Sequence, residues 1–175
     1  MKRLILLRHA KTEPWYEGVD DHGRALLPRG TADAERMAVR LAEAGYKVDR
    51  LIVSTARRAR ETCSAMEPVL KTADRRFEDD LYLAGVSGLE SIVSDHDGVG
   101  TLMLIGHNPG IHDFACGILR IAGSADHQVA LRLSEKFPTG CAAIFESEDD
   151  GAFVQAAFRL VDVMRPKDDR PDVWS

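Results

Sequence analysis

The chain has 175 residues, of which 45% are hydrophobic and 29% are charged, and its formal net charge is −5. This balance is typical of one globular domain; the negative charge argues against nucleic acid or an anionic membrane as a partner, and the apolar runs are too short to span a bilayer. We therefore predict a cytoplasmic protein that is a monomer or a weak homodimer and does not bind a membrane.

Short apolar strands alternate with amphipathic helices along the first two thirds of the chain. Residues 4–7 are all apolar, which predicts a strand buried on both faces, and a long loop without periodicity follows over residues 13–24. A helix is predicted over residues 28–44, where apolar residues recur at helical spacing before Gly45. The same reasoning predicts a strand over 48–53, a helix over 56–70, a short strand within 76–83, a short helix over 88–94, a strand over 101–105 and a helix over 111–121.

The last third of the chain is less regular. Residues 124–137 stay unassigned, whereas residues 141–146 and 152–163 predict an antiparallel pair of strands. The alternation predicts an α/β fold: a three-layer sandwich with a mostly parallel central sheet, helices on both faces and an antiparallel C-terminal edge. We expect one domain over residues 1–164 and a loosely held tail over residues 165–175.

Polar residues follow three of the predicted strands at the point where each strand ends. Arg8 and His9 follow the first strand, a segment beginning at Ser54 follows the second, and His107 and Asn108 follow a later one. In open α/β sheets, ligands bind beyond the carboxyl ends of the strands. If these strands are parallel neighbours, two histidines and at least two arginines meet at one edge of the sheet.

That grouping suits phosphoryl transfer. Arginine forks match phosphate oxygens, and a neutral imidazole is a competent nucleophile. Neighbouring guanidinium groups lower the pKa of the attacking ring, and a second histidine can donate to the oxygens in transfer. Catalysis of such a reaction consists mostly of positioning and electrostatic stabilisation.

These motifs, in their order and spacing, resemble the histidine phosphatase superfamily, which includes the cofactor-dependent phosphoglycerate mutases. The residues concerned are Leu6-Leu7-Arg8-His9-Ala10-Lys11-Thr12, Ser54-Thr55-Ala56-Arg57-Arg58-Ala59-Arg60-Glu61-Thr62 and Gly106-His107. The short chain and four smaller features resemble the SixA-type phosphohistidine phosphatases. These features are Asp21-x-x-Arg24-x-Leu26-x-x-Arg29-Gly30, Leu81-Tyr82-Leu83-Ala84, Gly106-His107-Asn108-Pro109-Gly110 and Phe137-Pro138-Thr139-Gly140.

The resemblance implies a phosphoglycerate mutase-like fold and a role for each matching residue. It implies that His9 becomes phosphorylated, that Arg8 and Arg58 hold the phosphoryl oxygens and that His107 stabilises the transition state. Water then hydrolyses the phosphohistidine, and neither a metal nor another cofactor is implied. Further candidates for substrate contact are Lys11, Thr12, Ser54 and Asn108.

The sequence departs from the larger members of this superfamily at the general acid. Those members carry a glutamate soon after the central strand or an aspartate directly after the second histidine, where this chain has Asn108. Three acidic residues lie near the position of the glutamate: Glu78, Asp79 and Asp80. The alternation of side chains along the strand does not show whether any of them points into the site. An alkoxide leaving group needs a proton, whereas an imidazole can leave as a neutral ring once its other nitrogen is protonated.

We therefore predict a metal-independent phosphatase that hydrolyses phosphohistidine on a protein through an intermediate at His9. A small-molecule phosphomonoesterase on the same scaffold is the nearest alternative, and a correctly placed acid would favour it. The second alternative is a phosphate-binding protein without turnover. Both histidines and the matching arginines are present in the chain, which speaks against that loss of activity.

Overall fold

A six-stranded mixed sheet forms the centre of the protein. The structure, a computed structural model, describes residues 1–72, 74–124 and 126–168. None of the helices in these ranges is long and apolar enough to cross a membrane. The elements in chain order are β1 (Arg3–Arg8), α1 (Pro28–Glu43), β2 (Arg50–Ser54), α2 (Arg57–Leu70), β3 (Asp74–Glu78), α3 (Val86–Asp95), β4 (Thr101–Gly106), α4 (Gly110–Ala122), α5 (His127–Glu135), β5 (Ala142–Glu146) and β6 (Arg159–Met164).

The strand order is β3-β2-β4-β1-β5-β6, so β4 lies between β1 and β2. These three strands and β3 run parallel, whereas β5 pairs antiparallel with β1 and β6 antiparallel with β5. The predicted mostly parallel sheet with an antiparallel C-terminal edge is confirmed. Because β1, β4 and β2 are parallel neighbours, their carboxyl ends meet at one edge of the sheet. Arg8 pairs with Gly106 there, and the backbone N–H of His9 donates to the Gly106 carbonyl at 3.0 Å.

Helices cover both faces of the sheet, as the three-layer prediction requires. Ile5 and Leu7 of β1 face α1 and α2, whereas Leu4 and Leu6 face the opposite layer of α3, α4 and α5. The four side chains are fully buried. This two-sided burial explains why the strand reads as an unbroken apolar run rather than as an alternation of apolar and polar residues.

Two C-terminal predictions need correction. The strand predicted over residues 152–163 begins only at Arg159, because a single 3-10 turn at Gln155–Ala157 precedes it. The unassigned segment contains α5, whose N-terminus is capped by Asp126. The Asp126 side chain accepts hydrogen bonds from the backbone N–H groups of Gln128 and Val129. This is a standard helix start, but the helix buries only Leu133 and so gives a weak apolar pattern.

The first four residues of the predicted tail are held against the domain, which contradicts the expectation of a loose segment there. The Arg40 guanidinium donates to the Arg165 carbonyl at 2.6 Å, and Pro166 is buried. Asp168 forms an ion pair with Arg132 of α5. Residues 169–175 of the predicted tail lie outside the described residues.

Two glycines of α4 provide a test of how closely this helix packs. A Cβ atom on Gly110 would lie 1.8 Å from the Ala84 carbonyl oxygen, whereas one on Gly117 would meet only the end of the Arg120 side chain at 4.0 Å. We expect Gly110→Ala to lower the free energy of unfolding by about 2 kcal/mol or more, because backbone must move. Gly117→Ala should raise it by about 0.5–1 kcal/mol. Urea denaturation measures both, and equal effects would contradict the close approach.

Candidate active site

A cavity of about 610 Å³ lies beyond the carboxyl ends of β1, β4 and β2. Five cationic and two acidic side chains are among those that line it. The lining residues are Arg8, His9, Lys11, Thr12, Glu13, Pro14, Asp21, Arg24, Leu27, Arg29, Arg58, Leu83, His107, Asn108 and Thr139. Three segments that are distant in sequence thus place two histidines and two of the arginines in one cavity, where a negatively charged ligand would be favoured.

His9 is buried and held in one tautomer. Its Nδ1 lies 2.8 Å from the Ala10 carbonyl oxygen. Since a carbonyl can only accept, Nδ1 carries the proton and Nε2 keeps its lone pair. The pKa of His9 is lowered to about 3, chiefly by burial; the Ala10 hydrogen bond acts in the opposite direction, and the charges of Arg58, Arg8 and Arg24 add to the lowering. The ring is therefore a neutral base at physiological pH.

The ring centroid of His107 lies 5.1 Å from that of His9. His107 Nε2 lies 2.7 Å from the Ser54 hydroxyl, which also accepts from the Ala56 backbone N–H at 3.3 Å. A serine hydroxyl can donate to Nε2 or accept from it, so this contact is compatible with either tautomer of His107, whose Nδ1 is buried without a partner among the described residues. Burial, followed by the charges of His9 and Arg58, lowers the pKa of His107 to about 3.

Ser54 occupies a different position from the one predicted. It is fully buried as the last residue of β2 and is not among the residues that line the cavity. Its hydroxyl contacts His107 instead, so the prediction that it touches substrate gains no support. The sequence pattern could place Ser54 at the strand end, but it could not show which way the hydroxyl points.

Arg58 projects from the first turn of α2 and is only 2% exposed. Its two terminal nitrogens donate to Asp21, one to the backbone carbonyl and one to the carboxylate at 3.0 Å. Arg8 donates to the Phe137 carbonyl at 3.0 Å. Both guanidinium groups line the cavity while other parts of the chain hold them in place, which suits groups that must bind a ligand in a fixed geometry.

Buried polar atoms without partners are concentrated here. Six such side-chain atoms occur among the described residues, and four of them belong to Arg8, Arg58, His107 and Asn108. Native proteins leave few buried polar groups unpaired, and the exceptions commonly mark function or a missing ligand or water. The cavity therefore has the properties of a ligand site rather than of a structural ion-pair cluster.

Asp21 and Tyr82 belong to this site; both lie in motifs of the SixA resemblance, but neither was assigned a role from the sequence. The Asp21 carboxylate accepts hydrogen bonds from Arg24, from Arg58 and from the Tyr82 hydroxyl, the last at 2.7 Å. The Tyr82 ring stands edge-on to His107 at 5.4 Å. Burial raises the pKa of Asp21, but the Tyr82 hydrogen bond and the charges of Arg58 and Arg24 outweigh it and lower the pKa. Asp21 is thus an ionised anchor for Arg58.

The three acids that the strand phase could not place do not line the cavity. Glu78 contacts the Nε2 atom of His96 at 2.7 Å, and Asp79 accepts from the Thr55 hydroxyl at 2.6 Å. Asp80 is exposed on the turn that follows β3. The carboxylates that do line the cavity are Glu13 and Asp21, both from the loop after β1.

The remaining candidates for substrate contact all line the cavity. The Thr12 hydroxyl accepts from Arg24 at 3.4 Å, Asn108 donates to the Phe137 carbonyl at 3.1 Å, and Lys11 is exposed. Their contact with substrate remains a prediction. Within residues 1–72, 74–124 and 126–168, no three His, Cys, Asp or Glu side chains form a group that could hold a metal ion.

Thr62 joins the two segments that carry His9 and Arg58. Its hydroxyl accepts from the Ala10 backbone N–H at 3.0 Å and donates to the Arg58 carbonyl at 2.7 Å. Thr62 is fully buried. The threonine that closes the second motif therefore fixes the loop after β1 relative to the first turn of α2.

The buried histidines predict a loss of stability in acid. The pKa of His9 and of His107 is about 3 in the folded protein, against about 6.5 in an unfolded chain. Between these values the unfolded chain binds more protons, so stability is fully present above pH 6.5 and falls as the pH is lowered. We expect each histidine to contribute a loss on the order of 2 kcal/mol between pH 7 and pH 5.

Urea denaturation at both pH values measures this loss, and His107→Gln should remove the part that belongs to His107. A variant whose unfolding free energy depends on pH as strongly as that of the native protein would contradict the assignment of a neutral, buried His107.

A mostly parallel α/β sheet that presents two neutral histidines and two held arginines at its carboxyl edge is suited to phosphoryl transfer. Comparison with known proteins also indicates a phosphoryl-transfer enzyme. Residues 4–82 match the family described as the histidine phosphatase superfamily, branch 1. The chain is 37% identical over 139 residues to the uncharacterised protein Rv1276c of Mycobacterium tuberculosis, covering 79% of this chain and 85% of the relative.

Two solved structures are also similar over nearly the whole chain. One, provisionally assigned as the phosphohistidine phosphatase SixA of Agrobacterium tumefaciens, is 29% identical with a TM-score of 0.78 and covers 94% of this chain and 98% of that one. The other has the same provisional assignment in a Nakamurella species. It is 28% identical with a TM-score of 0.81, and the match covers 94% of this chain and 96% of that one. The chain belongs to the histidine phosphatase superfamily, in its SixA-type branch, and is a phosphatase.

Proposed function

We propose that the protein hydrolyses phosphohistidine on a protein substrate, without a metal, through a phosphohistidine intermediate at His9. The observation that carries this proposal is the hydrogen bond between His9 Nδ1 and the Ala10 carbonyl at 2.8 Å. It leaves Nε2 as the nitrogen with a free lone pair, in a cavity that is lined by arginines. The low pKa of His9 keeps that lone pair available at neutral pH.

In the first step, Nε2 of His9 attacks phosphorus and the bond from phosphorus to the substrate imidazole breaks. The bonding electrons go to the departing nitrogen, and the ring leaves as neutral imidazole because its other nitrogen is protonated. Arg8 and Arg58 bind the phosphoryl oxygens, whose negative charge they balance. His107 supplies an Nδ1–H as a further donor, in the tautomer in which the Ser54 hydroxyl donates to its Nε2.

In the second step, water attacks the phosphorus atom of phosphorylated His9. The new bond from phosphorus to oxygen replaces the bond to Nε2, the electron pair returns to the His9 ring, and the water proton passes to the solvent. Inorganic phosphate is released. The same arginines hold the oxygens in both steps, so the enzyme does not need to rearrange between them.

One of the two acids of the cavity, Asp21, supports phosphohistidine as the substrate class. A phosphate ester leaves as an alkoxide and benefits from a general acid, which is typically worth about 10²–10⁴-fold in rate. Asp21 has a lowered pKa and accepts hydrogen bonds from Arg24, Arg58 and Tyr82, so it is a poor proton donor. A departing imidazole does not need that proton.

A substrate comparison tests the proposal. The purified protein and a His9→Ala variant are given, in the presence of EDTA, a protein that carries phosphohistidine and a panel of phosphate monoesters. We expect fast release from phosphohistidine, slow release from the esters and no release by the variant. Fast ester hydrolysis that depends on His9 would contradict the substrate class, and phosphate binding without any turnover would indicate a binding protein.

One observation favours hydrolysis of small phosphate esters as a second candidate. Glu13 lines the cavity and is exposed, and with the described residues its side chain makes only a long hydrogen bond, accepted from the Ala25 N–H at 3.4 Å. A carboxyl group in that position could protonate an alkoxide. Ester hydrolysis that falls at least about tenfold in Glu13→Gln, with phosphohistidine hydrolysis unchanged, would support this candidate. The cytoplasmic location and the monomeric or weakly dimeric state stay predictions from the sequence.

A further inference from the structure

A second cavity, of about 460 Å³, adjoins the active-site cavity. The two share Lys11, Arg29 and Thr139 in their walls. The second cavity is lined by Lys11, Arg29, Asp33, Pro138, Thr139, Arg165, Pro166, Lys167 and Asp168. A substrate bound at His9 can therefore extend past Lys11 and Arg29 into a second space.

Some charged side chains of this second cavity have hydrogen-bond or ion-pair partners in the protein, and others do not. Arg165 donates to the Arg132 carbonyl, Asp168 forms an ion pair with Arg132, and Asp33 forms one with Arg36. The side chains of Lys11, Arg29 and Lys167, by contrast, make no hydrogen bond or ion pair with any residue that the structure describes, and the first two stand at the boundary between the cavities. The boundary between the two cavities thus carries two positive charges whose partners are not supplied by the described part of the chain.

The backbone segments that carry Lys11 and Arg29 pack against each other. Leu27 donates its backbone N–H to the Lys11 carbonyl at 2.9 Å. A Cβ atom on Gly30 would lie 2.2 Å from the same carbonyl oxygen, so the first turn of α1 packs directly against the Lys11 backbone. Arg29 precedes that glycine. The backbone positions from which the two side chains project are therefore held close together before any ligand binds.

We propose that the second cavity is an anion subsite that binds a carboxylate of the substrate through Arg29 and Lys11. This inference rests on the proposed function and deepens it. The enzyme selects phosphohistidine that has an acidic side chain close by in the substrate protein. Arg8 and Arg58 bind the phosphoryl group, and the guanidinium of Arg29 matches the two oxygens of a carboxylate.

The test compares two phosphohistidine peptides that differ only in whether glutamate or glutamine flanks the phosphorylated residue. We expect kcat/KM for the glutamate peptide to exceed that for the glutamine peptide about three- to tenfold at low salt. In Arg29→Gln the ratio should fall to about one, and in Arg29→Glu it should invert. Arg120→Gln is the matched control, because Arg120 lies on α4, carries the same charge and lines neither cavity; it should keep the native ratio.

A ratio near one in the native protein, or the same ratio in native protein and Arg29→Gln, would overturn the subsite. If neither peptide is hydrolysed, the proposed function has failed and the subsite is judged by binding alone. Calorimetry then compares 3-phosphonopropionate with propylphosphonate. Tighter binding of the carboxylate compound, lost in Arg29→Gln and kept in Arg120→Gln, would support a subsite for small anionic substrates, and equal binding would reject it.

Discussion

Replacing His9 by alanine is expected to lower kcat for phosphohistidine hydrolysis by about 10⁴–10⁶-fold, the range seen when a covalent nucleophile is removed. The two displacements at phosphorus both use Nε2 of this ring, so no partial reaction remains. We do not expect the other histidine of the cavity to substitute, because its Nε2 is hydrogen-bonded to the Ser54 hydroxyl. Single-turnover kinetics with excess enzyme measure the chemical step.

His127→Ala is the matched control for this experiment, since His127 is exposed at the start of α5 and does not line the cavity. It should keep native activity. Circular dichroism and thermal melting should show that His9→Ala is folded. Residual kcat within about tenfold of the native value would mean that His9 is not the nucleophile.

The second large effect is expected at Arg58. Arg58→Ala should lower kcat/KM by about 10²–10⁴-fold, because a held guanidinium stabilises charge that develops on the phosphoryl oxygens. Arg58→Lys should recover only part of the loss, since an ammonium group keeps the charge without the planar fork. Steady-state kinetics on phosphohistidine measure both variants.

Asp21→Asn separates the chemical role of Arg58 from its contact with the loop. Asparagine keeps an acceptor for the guanidinium and removes the charge, so we expect a loss of less than about tenfold in kcat/KM. If Asp21→Asn and Arg58→Lys lose activity equally, then Arg58 acts mainly by holding the loop after β1. A thermal melt of each variant shows whether stability changes in parallel with activity.

The sheet could be predicted because its central strands are buried on both faces. β1 and β4 read as unbroken apolar runs, and the polar residues that follow each run mark its end. The insertion of β4 between β1 and β2 does not follow from such runs, since strand order depends on contacts between distant segments. The prediction of the site assumed that these three strands are parallel neighbours, and in the structure they are.

The parts of the site that could not be predicted depend on loops. Asp21 lies in an aperiodic loop, and only the tertiary fold brings its carboxylate within 2.7 Å of the Tyr82 hydroxyl. Ser54 shows the converse: its position at a strand end was correct, yet its hydroxyl faces His107 rather than the cavity. A strand end predicts which residues come together, whereas side-chain direction depends on neighbours that the local sequence does not contain.

The most direct test of the account is to trap the phosphorylated enzyme. Native protein is mixed with a radioactively phosphorylated histidine substrate, quenched in alkali within milliseconds and digested. We expect label on the peptide that contains His9, attached at Nε2, stable in alkali, labile in acid and absent from His9→Ala. Label on another residue or on Nδ1 of His9, or full turnover without any labelled enzyme, would contradict it.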